Sequence, residues 1–197
     1  MKKLLGILVL GLLFVSAPSY ADDIRDFEIE GMSIGDSLLD YFSEEQITNS
    51  IVNWYDSLEK NRYIAIALDS ENFKQYDFVD IFTNYGDESY KIATIAGVMY
   101  FGNDKEISDI NHCYKKQIII ADEIKSMFTT AKKEGPFKTI FKASDPTGKS
   151  SYTDIYLTLD DNYEVVIACY DWSDDFENKA DHMYVALRSK KVDAWLK

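Results

Sequence analysis

The sequence predicts an α+β fold in which a mainly antiparallel sheet is covered by helices on one face. Segments with strand character follow one another through short turns, and residues 84–89 and 160–162 are too short for helical crossovers. A long segment, residues 106–128, repeats apolar residues at the three- and four-residue spacing of an amphipathic helix. The alternative is an α/β/α flavodoxin-like sheet, which would need a helix between successive parallel strands.

Strands are predicted where β-branched and aromatic residues alternate with polar ones between turn signals. Gly86-Asp87 and Asp160-Asp161-Asn162 are the clearest turn signals, and the second is typical of a hairpin. Gly97 interrupts one strand, which indicates a bulge or a close packing point. The predicted strands are residues 62–68, 76–83, 90–101, 137–141, 151–159, 163–170 and 182–188.

Helices are predicted in a few blocks. Ser43 followed by Gln46 is a capping-box pattern and starts a helix that runs to about Trp54. Residues 35–42 form a shorter helix, and residues 192–196 a terminal helical turn. The long helix runs from Glu106 to Phe128. Its predicted core-facing stripe is Ile107, Ile110, Tyr114, Ile118, Ala121, Ile124 and Phe128.

Residues 1–21 have the order of a secretory signal peptide. Lys2 and Lys3 precede an uncharged apolar run, and small residues at Ser19 and Ala21 frame a cleavage site after Ala21. We therefore expect residues 22–197 to form a single α+β domain that works in the periplasm or is secreted. The apolar run is shorter than the roughly 20 residues that span a bilayer, so we expect no membrane insertion after cleavage.

Composition narrows the possible partners. The chain has 46% hydrophobic and 14% aromatic residues, which excludes a disordered protein. Its net charge of −13 becomes −15 once the two lysines of the signal are removed. Because so acidic a surface repels phosphate backbones, we expect no nucleic-acid partner. The partner is instead expected to be a small ligand or an envelope protein.

The two cysteines are predicted to form a disulfide. Cys113 falls on the apolar side of the long helix and Cys169 lies in a buried strand, so the helix and sheet would be joined in an oxidising compartment. The alternative is two separate buried thiols. A zinc site built from both cysteines with His112 and His182 is disfavoured, because adjacent helical side chains point about 100° apart. No metal and no cofactor are expected.

Gly35-Asp36-Ser37-Leu38 resembles the first block of the GDSL (SGNH) esterase family. The resemblance implies Ser37 as a nucleophile, with Asn103, His112 and Asp109 as its candidate partners. The departures are that Gly102-Asn103-Asp104 is one residue short of the family's third block, and that the block ending in His112 lies far from the C-terminus. The alternative interpretation is local: Gly35 eases a turn, and Asp36 or Ser37 caps a helix.

The opening IEGMSIGDSLLDYFS resembles that of uncharacterised exported proteins of marine bacteria, and this resemblance implies no activity. Since no complete catalytic set is visible, we expect a non-catalytic module that binds a ligand or an envelope partner. The fourteen tyrosines could supply an aromatic face for a sugar or a peptide. The alternatives are a serine esterase that uses Ser37, and a structural envelope component that forms a homo-oligomer.

Overall fold

Eight strands form one antiparallel sheet in the computed structural model, which describes residues 24–52, 62–102, 107–142, 145–160, 162–175 and 179–196. The sheet order is β1-β2-β3-β4-β8-β7-β6-β5, and every strand pair in these ranges is antiparallel. The strands are β1 (Ile51–Val52), β2 (Tyr63–Leu68), β3 (Phe78–Asn84), β4 (Ile92–Tyr100), β5 (Lys132–Ile140), β6 (Ser151–Thr158), β7 (Tyr163–Asp171) and β8 (His182–Ser189). The helices are α1 (Glu44–Asn49), α2 (Ile110–Met127) and α3 (Lys190–Leu196).

One face of the sheet, the core face, carries the main hydrophobic core. Over β2–β4 it is covered by the segment that precedes α1, whose apolar side chains join the same buried cluster as Ile66 and Ile81. Main-chain hydrogen bonds from Gly35 and Leu38 to the carbonyls of Ile92 and Tyr90 fix this segment to the start of β4. Its buried residues are Phe27, Ile29, Met32, Ile34 and Leu38.

Helix α2 covers the other half of the core face. The Asp109 carboxylate caps its first turn by accepting a hydrogen bond from the His112 N–H at 2.9 Å. The buried residues Cys113, Gln117, Ala121 and Ile124 face β6 and β7. Gln117 is the polar member of this stripe, and its amide donates to two strand carbonyls, those of Thr153 and Ile167, both at 2.6 Å. The buried amide is thus satisfied by the sheet.

The predicted disulfide is confirmed. Cys113 of α2 and Cys169 of β7 are bonded, with their Cα atoms 6.0 Å apart and both side chains fully buried. The bond joins the helix to the sheet across a sequence separation of 56 residues. Among the described residues no helix is both long and apolar enough to cross a bilayer. The predicted signal peptide lies outside the described residues, and the domain boundary at residue 22 stays a prediction.

The α+β prediction is wrong, as is its flavodoxin-like alternative. The structure is mainly β, an eight-stranded sheet with three helices, and its antiparallel pairing excludes a flavodoxin-like sheet within the described ranges. The helices do not cover one face either. Irregular chain shields the core face over β2–β4, while α3 packs on the opposite face through Val192 and Trp195. The prediction had helices covering one face of the sheet. An irregular covering segment was not foreseen, because it produces no periodic pattern of apolar residues in the sequence.

Local predictions mostly hold. The capping box at Ser43 and Gln46 is present, although the helix that it starts is α1, which ends at Asn49. Residues 38–40 form a 3-10 turn rather than a longer helix. Strand β5 begins at Lys132, five residues before the predicted start, and β1 was not predicted.

The second face, the open face, is only partly covered. Its residues follow from the two-residue alternation of strands and from the register. At one end α3 packs against β2 and β3, where the Trp195 ring lies 5.4 Å from that of Tyr63 and 6.2 Å from that of Phe82. No helix of the described ranges lies over the other end, where aromatic side chains stand on neighbouring strands. The candidate site lies between these two ends.

Candidate functional site

The residues of the GDSL block have local structural roles. Gly35 has a φ of 90°, which only glycine adopts readily. The Asp36 carboxylate accepts hydrogen bonds from the Ser33 N–H and the Tyr41 hydroxyl, both at 2.9 Å. The Ser37 hydroxyl donates to the Ser89 carbonyl at 2.6 Å and accepts from the Leu39 N–H at 3.3 Å. The block therefore forms a turn and caps the 3-10 turn that follows.

Among the described residues, Ser37 is not brought together with His112 or with His182. Ser37 forms a β-bridge with Lys91 at the start of β4, whereas His182 pairs with Tyr100 at its end. Nine residues of strand separate these two points, about 30 Å. His112 follows Asp109 on the exposed first turn of α2, next to the disulfide, which lies near the far end of β4. Asn103 lies outside the described residues.

The end of the open face that α3 does not cover carries a group of stacked rings, here named the aromatic ridge: Phe141, Tyr152, Tyr170, Trp172 and His182. Register places Tyr152, Tyr170 and His182 side by side on β6, β7 and β8. The Tyr170 ring lies 4.5 Å from the His182 ring and 5.5 Å from the Tyr152 ring, and both pairs are stacked. Phe141 and Trp172 extend the stack at 4.9 Å. Burial lowers the pKa of His182.

A cavity of about 220 Å³, the sheet-face cleft, lies between the aromatic ridge and α3. Small side chains leave the space for it, because the row that pairs Asp80 with Ala96 and Ala96 with Ala186 has no bulky residue in its centre. The residues that matter most around the cleft are Asp80, Phe82, Tyr184, Arg188, Asp193 and Leu196. Side chains of four strands, β3, β4, β7 and β8, and of α3 thus line a space with charged walls.

Asp80 is the least satisfied acidic group of the cleft. Its Oδ1 is buried and has no hydrogen-bond partner. Burial raises the pKa of Asp80 from 3.8 to about 7, because the surroundings disfavour the charged form. An unpaired buried carboxyl is costly, and such groups are enriched at functional sites. Asp80 therefore marks the cleft as more than a packing defect.

Arg188 stands on the other side of the cleft. Its Nη1 donates to Asp193 Oδ1 at 3.1 Å, whereas its buried Nε has no hydrogen-bond partner. Burial opposes the charged form, but the negative charges around the guanidinium, including those of Asp193 and Glu164, raise the pKa of Arg188 overall. Arg188 is on β8 and Asp80 on β3, with β4 between them. Their backbones are therefore about 10 Å apart across the sheet.

A second buried carboxyl on the same face is fully paired. The Tyr156 hydroxyl donates to Asp154 Oδ2 at 3.0 Å. Burial raises the pKa of Asp154 and also that of Tyr156. Since Asp154 is as deep in the sheet as Asp80 but has a partner, it offers a matched control for experiments on the cleft.

Two larger cavities lie elsewhere. One of about 450 Å³ separates the N-terminal segment from the loop after β2, and the carboxylate of Glu30 beside it is already hydrogen-bonded to three backbone N–H groups. The other, of about 370 Å³, lies between α2 and β5 and is lined by residues that include Tyr114, Ile118 and Pro136. Unlike these, the sheet-face cleft combines enclosed space with unsatisfied charged groups.

Comparison of the chain with models of known protein families, with curated protein sequences and with solved structures finds no match. Within the described ranges, no three His, Cys, Asp or Glu side chains are grouped closely enough to hold a metal ion. The chemistry of the site therefore has to be argued from its own residues.

The sequence did not single out Asp80 or Arg188. Each is a polar residue in an alternating strand, a position that usually faces solvent. The available signal was that Phe78, Asp80 and Phe82 share one face of β3, so that a charged residue stands between two large apolar ones.

Proposed function

We propose that this protein is an exported, non-catalytic module that binds a small ligand in the sheet-face cleft. The observation that carries the proposal is a pair of partly buried charged side chains at one cavity, Asp80 and Arg188, each with one fully buried polar atom that has no hydrogen-bond partner. A ligand that hydrogen-bonds to them would remove a penalty that the unliganded protein bears.

Export is supported by two independent features. Residues 1–21 have the charge, apolar run and small-residue site of a signal peptide. The disulfide between Cys113 and Cys169 is of a kind that persists in oxidising compartments and is rare in the cytosol. Together they favour the periplasm or the exterior of the cell as the place where the ligand is met.

Binding is favoured over ester hydrolysis by the surroundings of Ser37. Its hydroxyl already donates to a main-chain carbonyl, and neither histidine lies at its end of β4. A serine nucleophile needs a base within hydrogen-bond reach to take its proton. The sheet-face cleft, in contrast, offers charged groups and aromatic walls that can bind a ligand.

The proposal is tested by a ligand screen with a variant that fills the cleft. Amino acids, sugars, nucleosides and small organic acids are tested singly for their effect on the melting temperature. Leu196→Phe adds bulk at the wall of the cleft, and the matched control Leu39→Phe makes the same change at an exposed leucine on the 3-10 turn. We expect a stabilising compound whose effect is lost in Leu196→Phe and kept in Leu39→Phe. A screen without any such compound would refute the proposal.

A second candidate function, docking of an envelope protein, is favoured by the outer edge of β5. This strand is the last of the sheet, and Phe137 and Ile140 on it are 53% and 48% exposed. Residues 132–149 contain five lysines and two acidic residues, a net +3 in a chain of net −13. The partner that fits is an extended acidic segment that adds to the sheet as a further strand.

The docking candidate has its own test. A short synthetic peptide of alternating glutamate and valine is titrated against the protein, with a lysine–valine peptide of the same length for comparison. Lys138→Glu is expected to weaken binding of the acidic peptide, and the control Lys91→Glu, at an exposed lysine just before the central strand β4, to leave it unchanged. Equal binding of both peptides, or no effect of Lys138→Glu, would remove this candidate.

A further inference from the structure

The two unsatisfied atoms of the sheet-face cleft need opposite kinds of partner. Above its pKa of about 7, the ionised Asp80 carboxylate only accepts hydrogen bonds, so Oδ1 lacks a donor, whereas Arg188 Nε–H donates and lacks an acceptor. Both atoms are buried, so bulk water does not satisfy them where they stand. A single ligand that satisfies both has to carry a donor at one end and an acceptor at the other.

The spacing of the two residues suits a compact ligand. β4 separates their strands, so the backbones are about 10 Å apart, and both side chains extend toward the space between them. Because the cavity is only about 220 Å³, a ligand that reaches both residues has to be compact, with its donor and its acceptor close together. The cavity of about 220 Å³ limits the rest of the ligand to a small side chain.

The charges of the cleft distinguish between ligand classes. A lone carboxylate would meet Asp80, Asp193 and Glu164 as well as Arg188, and Arg188 already pairs with Asp193. A lone amine would satisfy Asp80 but leave Arg188 Nε without an acceptor. A zwitterion satisfies both atoms and keeps the charge of the site unchanged, which avoids the cost of burying an unbalanced charge.

The walls of the cleft include apolar and aromatic side chains. Phe82 and Tyr184 line the cleft together with Leu196 of α3. These side chains present apolar surface to the ligand, whereas the charged groups lie on either side of β4. A small apolar side chain on the zwitterion would therefore be buried at the same time as its charges are paired.

We infer that the sheet-face cleft binds a free α-amino acid with a small apolar side chain, whose ammonium group pairs with Asp80 and whose carboxylate pairs with Arg188. This inference rests on the proposed ligand-binding function and names its ligand class. It requires no rearrangement of the strands, only that the ligand takes the place of solvent in a cavity that already exists.

Isothermal titration calorimetry with three matched probes tests the inference: L-valine, isobutylamine, which lacks the carboxylate, and 3-methylbutanoate, which lacks the amine. We expect L-valine to bind and each analogue to bind at least about tenfold more weakly, because each leaves one buried polar atom, Asp80 Oδ1 or Arg188 Nε, without a hydrogen-bond partner. Equal binding of either analogue would overturn the zwitterion assignment.

The same titration is repeated with three variants. Asp80→Asn and Arg188→Gln are each expected to weaken valine binding by about tenfold or more, and the control Asp154→Asn, a paired carboxyl on the same face, by less than about twofold. Circular dichroism confirms that each variant is folded, and valine affinity unchanged in Asp80→Asn would refute the inference even if Arg188→Gln fails to fold.

The outcome is separable from that of the ligand screen. Suppose that no α-amino acid binds, but that another compound stabilises the wild type and not Leu196→Phe. In that case the amino-acid inference fails and the proposed binding function stands. If no compound of any class binds, both fail.

Discussion

The carboxylate of Glu30 accepts a hydrogen bond from the backbone N–H of Tyr76 at 3.0 Å, across 46 residues of sequence. The same carboxylate accepts from the N–H groups of Lys74 and Gln75 at 2.9 and 2.7 Å. Three consecutive N–H groups around one anion form an anion-binding concavity, here filled by the protein's own side chain. This contact ties the N-terminal segment to the loop before β3.

Replacing this carboxylate is therefore expected to loosen the N-terminal segment. Glu30→Ala should lower the free energy of unfolding by roughly 1–3 kcal/mol, because it removes charge-assisted hydrogen bonds to three N–H groups. Urea unfolding measures the change, and Glu28→Ala, which alters an exposed glutamate two residues earlier, serves as the control. Equal effects of the two substitutions would show that the contact contributes nothing.

The disulfide provides a second prediction. The double variant Cys113→Ala/Cys169→Ala should be less stable by about 4 kcal/mol, since the bond closes a loop of 56 residues and so restricts the unfolded chain. Unfolding is compared with and without a thiol reductant. Reductant should lower the stability of the wild type toward that of the variant and leave the variant unchanged. A wild type that is indifferent to full reduction would contradict the prediction.

The opening of the chain shows why a short motif misleads. Gly35, Asp36, Ser37 and Leu38 spell the first block of a hydrolase family, yet they serve as a turn glycine, a carboxylate bonded to Ser33 and Tyr41, the cap of the 3-10 turn and a core residue. A short sequence motif specifies only the types of side chain, whereas a catalytic role depends on which groups lie within hydrogen-bond reach of the serine. The partners of Ser37 are main-chain groups of Ser89 and Leu39: the bond to Leu39 is the cap that the sequence offered as an alternative, whereas Ser89 is 52 residues away and sequence spacing holds no information on it.

Helix α2 was predictable as an amphipathic helix, although it begins at Ile110 rather than at Glu106, but the face that it buries was not. The spacing of apolar residues placed Ile118 in the core, but that side chain is 46% exposed and its neighbour Gln117 is 1% exposed. The helix is rotated toward Gln117 because Cys113 bonds to the sheet and the glutamine amide finds two strand carbonyls. Periodicity identifies an amphipathic helix, but these tertiary contacts set its rotation.

Six of the eight strands were predicted close to their observed bounds because β-branched and aromatic residues are grouped between turn signals, whereas β1 was not predicted and β5 begins five residues earlier than expected. The cleft was not predicted. By strand alternation Asp80 and Arg188 would face solvent, but in the structure α3 covers that face of the sheet. Burial of a polar residue by a distant helix depends on which face of the sheet the helix occupies. The sequence placed all helices on one face, and this error also concealed the site.

Gly97 gives a third prediction. The sequence indicated a bulge or a close packing point in β4, and the structure shows close packing: a Cβ at residue 97 would overlap the ring of Tyr76. Gly97→Ala should therefore lower the free energy of unfolding by roughly 1–3 kcal/mol, as overpacking does. Thermal unfolding measures the loss. In the Tyr76→Leu background the smaller side chain leaves room for the alanine, so Gly97→Ala should cost less stability there than in the wild type. An equal loss in both backgrounds would contradict this explanation.

Ser37 gives a fourth prediction, which separates its capping role from a catalytic one. Ser37→Ala should lower the free energy of unfolding by about 0.5–2 kcal/mol, because the cap of the 3-10 turn and the bond to Ser89 are lost. Hydrolysis of a p-nitrophenyl ester by the purified protein should be the same for wild type and variant. Activity that is present in the wild type and absent in Ser37→Ala would restore the esterase hypothesis.

The raised pKa of Asp80 makes a final prediction about stability and pH. Burial raises this pKa from 3.8 to about 7 in the folded protein. Below about pH 4 the carboxyl is protonated in both states and carries no penalty. Between about pH 4 and pH 7 the unfolded chain releases the proton and the folded protein keeps it, so the stability contributed by the protonated form is lost as pH rises, by up to about 4 kcal/mol.

Asp80→Asn removes this dependence, because an amide does not ionise. The variant should match the wild type near pH 4 and exceed it near pH 8 by an amount on the order of a few kcal/mol, measured by urea unfolding at each pH. The titratable and charged groups that face Asp80 are Tyr100, Tyr170, Tyr184, Arg188 and Asp193, and they are common to both proteins, so the difference between the two curves reports Asp80 alone. The control Asp40→Asn, at an exposed position, should follow the wild type at every pH. Parallel curves for Asp80→Asn and wild type would mean that this carboxyl is solvated, which would also remove the main support for a ligand site in the cleft.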